Sequence, residues 1–227
     1  MSDYKKNKKI VWTLQNPISD FPSIKNYNPR FEFIHKPLIE LKYNDNFKKI
    51  DYELQKYKNI IITSPFAAST IAKLIRKDFH NIFIVGNKSS KIFTNLNFKV
   101  DKIFAISQDL SDWIQKRTND SFIHLCSEKS NFNVWPSNVY SFPFYKPVKN
   151  KNIDTDFIKK ISNSTVVFGS PSGVETWFSI RPKRKNNLYV CMGSTTAEKI
   201  KEYTSEKPLF PNDSKLETLL RILDDSK

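Results

Sequence analysis

One stretch of the chain occurs twice in altered form: Ile60-Ile61-Ile62-Thr63-Ser64-Pro65 is matched by Val166-Val167-Phe168-Gly169-Ser170-Pro171. Each copy is a short apolar run, a Ser-Pro step and a helix-like pattern, followed by a second apolar run that ends in glycine. From Ser64 to Gly86 is 22 positions and from Ser170 to Gly193 is 23. A repeat in nearly constant register restricts the fold to two similar halves, each reading strand, turn, helix, strand, turn, helix. The predicted class is α/β, with two similar parallel-sheet domains, and 227 residues are enough for each to bury its own core.

The four glycines mark the turns: Gly86, Gly169, Gly173 and Gly193 each follow an apolar run or lie in the small-polar segment after it. Buried strand, tight turn and helix N-terminus follow one another in such a pattern. In open α/β sheets these turns form the ligand-facing edge, where free backbone N–H groups meet anions. Ser64 is placed to cap a helix with Pro65 at its first position and an apolar face at Ala68, Ile71, Ala72 and Ile75. Ser170 and Pro171 repeat that start before Trp177 and Phe178. Thr195 and Glu198 have the spacing of a capping box, and Leu216, Leu219, Leu220 and Leu223 line one face of a last helix.

Residues 31–41 and 139–145 interrupt the alternation. Both are aromatic and β-branched, and Pro37 and Pro143 suit exposed or edge strands. They read as linker strands through which the chain leaves one domain and returns. The expected division is 1–33 with 149–227 as a discontinuous domain, 34–41 and 142–148 as linker strands, and 42–141 as the second domain.

Several classes are excluded or weakened. The net charge of +14 is mostly lysine in a chain also rich in asparagine and isoleucine, a bias that an A/T-rich genome produces. No RNP-type motif, zinc finger or basic helix accompanies it, so no nucleic-acid partner is predicted. No apolar stretch approaches the roughly 18 residues of a membrane span, and residues 1–9 are too polar for a signal peptide. A soluble cytoplasmic protein is expected. Cys126 and Cys191 lie in or beside apolar runs as buried thiols, and His35, His80 and His124 are scattered, so no metal or disulfide framework is read. No G-x-G-x-x-G occurs, which sets aside nicotinamide and flavin chemistry.

Five motifs, in order and at matching spacing, carry a resemblance: Thr63-Ser64-Pro65, Val85-Gly86-Asn87, Phe144-Tyr145, Phe168-Gly169-Ser170-Pro171-Ser172-Gly173-Val174 and Gly193-Ser194-Thr195-Thr196-Ala197. Together they resemble uroporphyrinogen-III synthase over nearly the whole chain. The resemblance implies two flavodoxin-like domains joined by a two-stranded β linker, a substrate cleft between them, no cofactor and a monomer. It also implies the substrate hydroxymethylbilane, a linear tetrapyrrole with eight carboxylates, which loses water and closes with inversion of its terminal ring. Tyr145 takes the position of the family's linker-strand tyrosine, assigned to assist hydroxyl departure, with packing on an edge strand as the alternative. Thr63, Ser64, Gly86, Ser89, Ser170, Ser172, Gly193, Thr195 and Thr196 are the candidate substrate-binding residues, and helix capping explains the hydroxyls among them equally. None of the serines has a His–Asp partner in the sequence, so a serine nucleophile is not expected. Two departures stand out. Thr13-Leu14-Gln15 replaces a usual Thr-Arg, and the helix that relatives place after Leu125-Cys126 is shortened or lost. They leave a second reading open, a diverged synthase-like binding module with weak or no catalysis.

Overall fold

A computed structural model describes residues 8–20, 31–180, 186–213 and 215–225. The expectation for residues 1–9 falls mostly outside them, as does the stretch 21–30 assigned to the first domain. In chain order the strands and α-helices are β1 (Lys8–Trp12), β2 (Phe31–His35), β3 (Ile39–Tyr43), α1 (Ile50–Lys56), β4 (Asn59–Ile62), α2 (Pro65–Ile71), β5 (Asn81–Val85), α3 (Asn87–Asn95), β6 (Lys102–Phe104) and α4 (Ser107–Gln115). They continue with β7 (Phe122–Ser127), β8 (Val139–Lys149), α5 (Thr155–Lys160), β9 (Thr165–Phe168), α6 (Pro171–Ile180), β10 (Leu188–Cys191), α7 (Ser194–Lys201) and α8 (Leu216–Asp225). The repeated segment is β4-α2-β5-α3 in one half and β9-α6-β10-α7 in the other. No described helix is long and apolar enough to cross a membrane.

The chain divides into two compact units, residues 1–40 with 148–227 and residues 41–147. In the first unit, four parallel strands lie in the order β10-β9-β1-β2. All four residues of β9 are buried, as in a parallel strand covered on both faces. Alternation along the strands sends Val11, Val166, Phe168 and Tyr189 to one face, packed with Ile158, Trp177, Ala197 and Ile200 of α5, α6 and α7. Ile10, Trp12, Val167 and Val190 face the other way, against the leucine face of α8.

In the second unit the order is β3-β8-β7-β4-β5-β6. Strands β8, β7, β4, β5 and β6 run parallel. One face packs Ile60, Ile62, Ile82, Ile84, Ile123 and Leu125 with residues of α1, α2 and α3, and the other packs Ile61, Phe83 and Phe122 with Leu110 and Ile114 of α4. The bonds Asn44 N to Phe144 O (3.1 Å) and Asn150 N to Leu38 O (2.9 Å) flank the β3–β8 pair and make it antiparallel. The chain crosses between the units within this pair, at 40/41 and 147/148.

Four expectations are corrected. Residues 31–41 do not form one linker strand: the chain breaks at Lys36-Pro37-Leu38, and β2 joins the first unit's sheet beside β1. Proline has no N–H to continue a ladder; instead Lys36 N and Leu38 N bond Trp12 O and Thr13 O. Pro143 is not on an edge, since β8 has neighbours on both sides. The strand accommodates it through a register shift at Cys126/Ser127, and the amides of Asn44 and Asn46 donate to its carbonyl at 3.2 and 2.8 Å. Thr195 and Glu198 make no capping box, because α7 already begins at Ser194, and Glu198 instead pairs with Lys201. Finally, α2 ends at Ile71, so Ala72 and Ile75 are buried beyond its last turn.

Among the glycines, Gly86 alone has positive φ, at 86° with ψ 142°, whereas Gly193 is extended at φ −177°. A Cβ on Gly86 would meet nothing within 4 Å, so substitution there acts through the backbone. Gly86→Ala is expected to lower stability by about 1–3 kcal/mol, the range for residues forced into glycine-only regions. Urea unfolding checks it, and an unchanged midpoint would show that the turn relaxes freely.

Candidate functional site

Ligands of open α/β sheets bind beyond the carboxyl ends of the strands, where the strand order reverses. In the second unit the chain runs from β4 to β5 and β6 on one side, while β7 and β8 lie on the other, so the reversal falls between β4 and β7. In the first unit it falls between β1 and β9. The repeated Thr63-Ser64-Pro65 and Gly169-Ser170-Pro171 steps therefore stand at equivalent points.

The second unit's crevice is polar. Ser64 caps α2 by accepting from Ala67 N (3.1 Å), a contact worth about 1 kcal/mol, and its Oγ lies 2.7 Å from the Tyr145 hydroxyl. The Tyr145 ring packs on Phe66 and Phe144 and is only 4% exposed. Burial pushes this phenol above its ordinary range, opposed by the Ser64 hydrogen bond, so Tyr145 stays protonated and able to donate. Beside it, burial pushes the Cys126 thiol up to about 12, which leaves it protonated and unreactive.

Thr63 Oγ1 lies 3.0 Å from Nε2 of His124, on β7 opposite Ile61. The imidazole stacks at a tilt against Trp135, with centroids 4.7 Å apart, and its Nδ1 has a long 3.5 Å contact to Ser141 Oγ. Burial pushes His124 down to about 3, so the ring is neutral near pH 7. Sequence reasoning missed this residue. Its signal was a single polar residue inside the apolar run Phe122-Ile123-His124-Leu125-Cys126, which a strand buried on both faces tolerates only with a partner.

Gly86 leads into α3, whose first turn carries Lys88 and Ser89. Ser89 is buried, and so is Thr196 in the first turn of α7, while Thr195 is exposed. At the start of α6, Ser170 O and Oγ both accept from Gly173 N, at 3.1 and 3.3 Å, and Ser172 is half-buried. Gly193 is the cap of α7 and makes no side-chain bond. The structure thus brings Thr63, Ser64 and Tyr145 together, with Gly86 and Ser89 elsewhere on the same unit. Ser170, Ser172, Gly193, Thr195 and Thr196 belong to the other unit.

At the first unit's reversal the buried Thr13 Oγ1 donates to Val167 O at 2.7 Å, and a leucine covers the turn after β9. A Cβ on Gly169 would lie 2.7 Å from Leu14 Cγ, so the Leu14 side chain occupies the space over this turn. His35 Nε2 bonds Leu14 O at 2.9 Å and fixes the backbone there. Among the described residues no group of three or more His, Cys, Asp and Glu is placed to hold a metal ion.

The family model described as Uroporphyrinogen-III synthase HemD matches residues 30–221. Among solved structures, uroporphyrinogen-III synthetase from Helicobacter pylori 26695 superposes with a TM-score of 0.70 at 14% identity, covering 97% of this chain and all of that one. A mutant uroporphyrinogen III synthase from the extremely thermophilic bacterium Thermus thermophilus gives 0.58 at 12% identity, covering 96% of each chain. Two curated proteins also match in part. Small ribosomal subunit protein uS4c of Stigeoclonium helveticum is 33% identical over 134 residues, 57% of this chain and 4% of that protein. Uncharacterized protein RP474 of Rickettsia prowazekii (strain Madrid E) is 28% identical over 125 residues, 54% of this chain and 41% of that protein. The chain spans less than half the length of either curated relative.

The geometry leads to two expected outcomes. Gly169→Ala should destabilise by about 1–3 kcal/mol through overpacking on Leu14, and Leu14→Ala in the same chain should remove most of that extra cost. A double-mutant cycle by urea unfolding measures the coupling, and purely additive effects would contradict the contact. For His124, the folded pKa lies below the ordinary value of 6.5, so the unfolded chain binds more protons between about pH 6.5 and 3. Stability contributed by the neutral ring is complete above 6.5 and falls as pH drops through that window. Between pH 7 and 5 the loss should be about 2 kcal/mol, from 1.36 kcal/mol per unit. His124→Gln should flatten that part of the pH profile; an unaltered slope would assign it to other groups.

Proposed function

Because the chain belongs to the uroporphyrinogen-III synthase family, we propose that it converts hydroxymethylbilane to uroporphyrinogen III, releasing water and inverting the terminal pyrrole ring. The observation that carries this reading is the family match over residues 30–221. The protonated Tyr145, hydrogen-bonded to Ser64 at a strand-order reversal, supplies a group suited to the first step.

Ser64 Oγ–H donates to the Tyr145 oxygen, which turns the phenolic proton toward the substrate's terminal hydroxyl. The pyrrole nitrogen pushes its electron pair toward the hydroxymethyl carbon, the C–O bond breaks, and the leaving oxygen takes the Tyr145 proton to depart as water. The freed exocyclic carbon bonds the substituted α-carbon of the terminal pyrrole to give the spiro arrangement. The bond from that α-carbon to the neighbouring ring's methylene then breaks and re-forms at the pyrrole's free α-carbon, and the proton lost there as the ring regains aromaticity restores the phenol. No oxidant or group donor enters the balance, so the chemistry calls for no cofactor. Within each unit, first-turn N–H groups of α3, α6 and α7 and exposed hydroxyls such as that of Thr195 are suited to carboxylates of the substrate. Because the free bilane also closes without inversion, holding the reacting carbons in one geometry is the larger part of the task.

A second reading, a synthase-like module that binds tetrapyrrole without turnover, is favoured by one feature, the Leu14 side chain over Gly169. Incubation with hydroxymethylbilane followed by separation of the type I and type III isomers decides between them. The enzyme reading expects type III; type I alone, at the uncatalysed rate, would leave the binding module. Tyr145→Phe should keep the fold and slow type III formation by about 10²–10⁴, the range of general-acid assistance. Unchanged turnover in the folded variant would reduce Tyr145 to a packing residue.

A further inference from the structure

Thr63 and His124 meet at the second unit's strand-order reversal, and their bond has a direction with functional consequences. His124 has two ring nitrogens, one 3.0 Å from Thr63 Oγ1 and the other 3.5 Å from Ser141 Oγ. The neutral ring carries one N–H, and leaving a buried N–H without a good acceptor costs more than leaving a ring nitrogen poorly satisfied. The proton therefore belongs on Nε2, at the shorter bond, and Thr63 Oγ1 accepts it. The Thr63 hydroxyl then keeps its own proton, and no second partner for it occurs among the described residues.

We propose that His124 is a positioning residue that holds the Thr63 hydroxyl as an outward hydrogen-bond donor to a carboxylate of the substrate. In the opposite tautomer Thr63 would give its proton to His124 and meet an anion with lone pairs only. The inference rests on the carboxylate-rich tetrapyrrole reading above, and its role is in binding rather than in the bond-breaking step.

Two measurements test it. In 15N-labelled wild-type protein, imidazole nitrogen shifts report the tautomer whether or not the protein turns over; an Nε2-bound proton is expected, and an Nδ1-bound proton would overturn the proposal. In steady-state turnover of hydroxymethylbilane, His124→Leu should raise KM about 3- to 10-fold, the size of one neutral hydrogen bond, with kcat nearly unchanged. His124→Gln, whose amide N–H can reach the same oxygen, should recover most of that loss. In a Thr63→Val background, His124→Leu should add nothing further. Additive effects, or a fall in kcat equal to the rise in KM, would overturn the positioning role. Wild-type protein that yields no type III isomer would instead remove the synthase reading, separately from the tautomer result.

Discussion

β4 is bonded by parallel ladders to β5 on one side and β7 on the other, and Ile60, Ile61 and Ile62 are fully buried. The second unit depends on that placement. Parallel neighbours require crossover helices, so β4 leads through α2 to β5, and the chain must later return to the other side of β4. The reversal of strand order next to β4 follows, and with it a gap beyond its carboxyl end that no further strand covers. Polar side chains gather there, and the two that are buried, His124 and Tyr145, have hydrogen-bond partners. Thr63, Ser64, His124 and Tyr145 collect at that gap because β4, β7 and β8 are adjacent in the sheet.

The two units share this backbone logic but fill the equivalent gap differently. In one, hydroxyls of Ser64 and Tyr145 bond each other and a neutral imidazole bonds Thr63. In the other, Leu14 packs on Gly169 and the Thr13 hydroxyl is bonded to the Val167 carbonyl. The backbone repeat is kept while the side chains it carries differ. Burial of Tyr145 keeps its phenol protonated.

Much of the fold was legible because its strongest signals are local. Short buried runs, Ser-Pro caps and glycine turns recur at 22 and 23 positions, and strand, helix and repeat followed from them. What escaped depended on neighbours distant in sequence. Residues 31–41 looked like one strand until Lys36 and Leu38 found carbonyls on the residues after β1. Pro143 argued for an edge because nothing local reveals a bulge on a partner strand. Thr195 and Glu198 matched a capping box whose helix had already begun at Ser194. In the candidate site, the Ser-Pro step could be singled out from type and position, and Tyr145 through the family resemblance. Their hydrogen bond spans 81 positions, and the pairing of Thr63 with His124 spans 61, so neither was visible in the order of residues alone. The burial of Ser89 and Thr196 was equally hidden, since a helix's first turn presents residues to either side.

If the chain acts as proposed, a tetrapyrrole is engaged at the polar gap beside β4. The most direct test is amide and side-chain chemical-shift mapping while uroporphyrin III, a stable octacarboxylate relative of the product, is titrated to saturation. Large shifts are expected at Thr63 and Ser64, at the His124 imidazole and at the Tyr145 ring. Saturable binding that leaves all four groups unmoved would contradict this engagement.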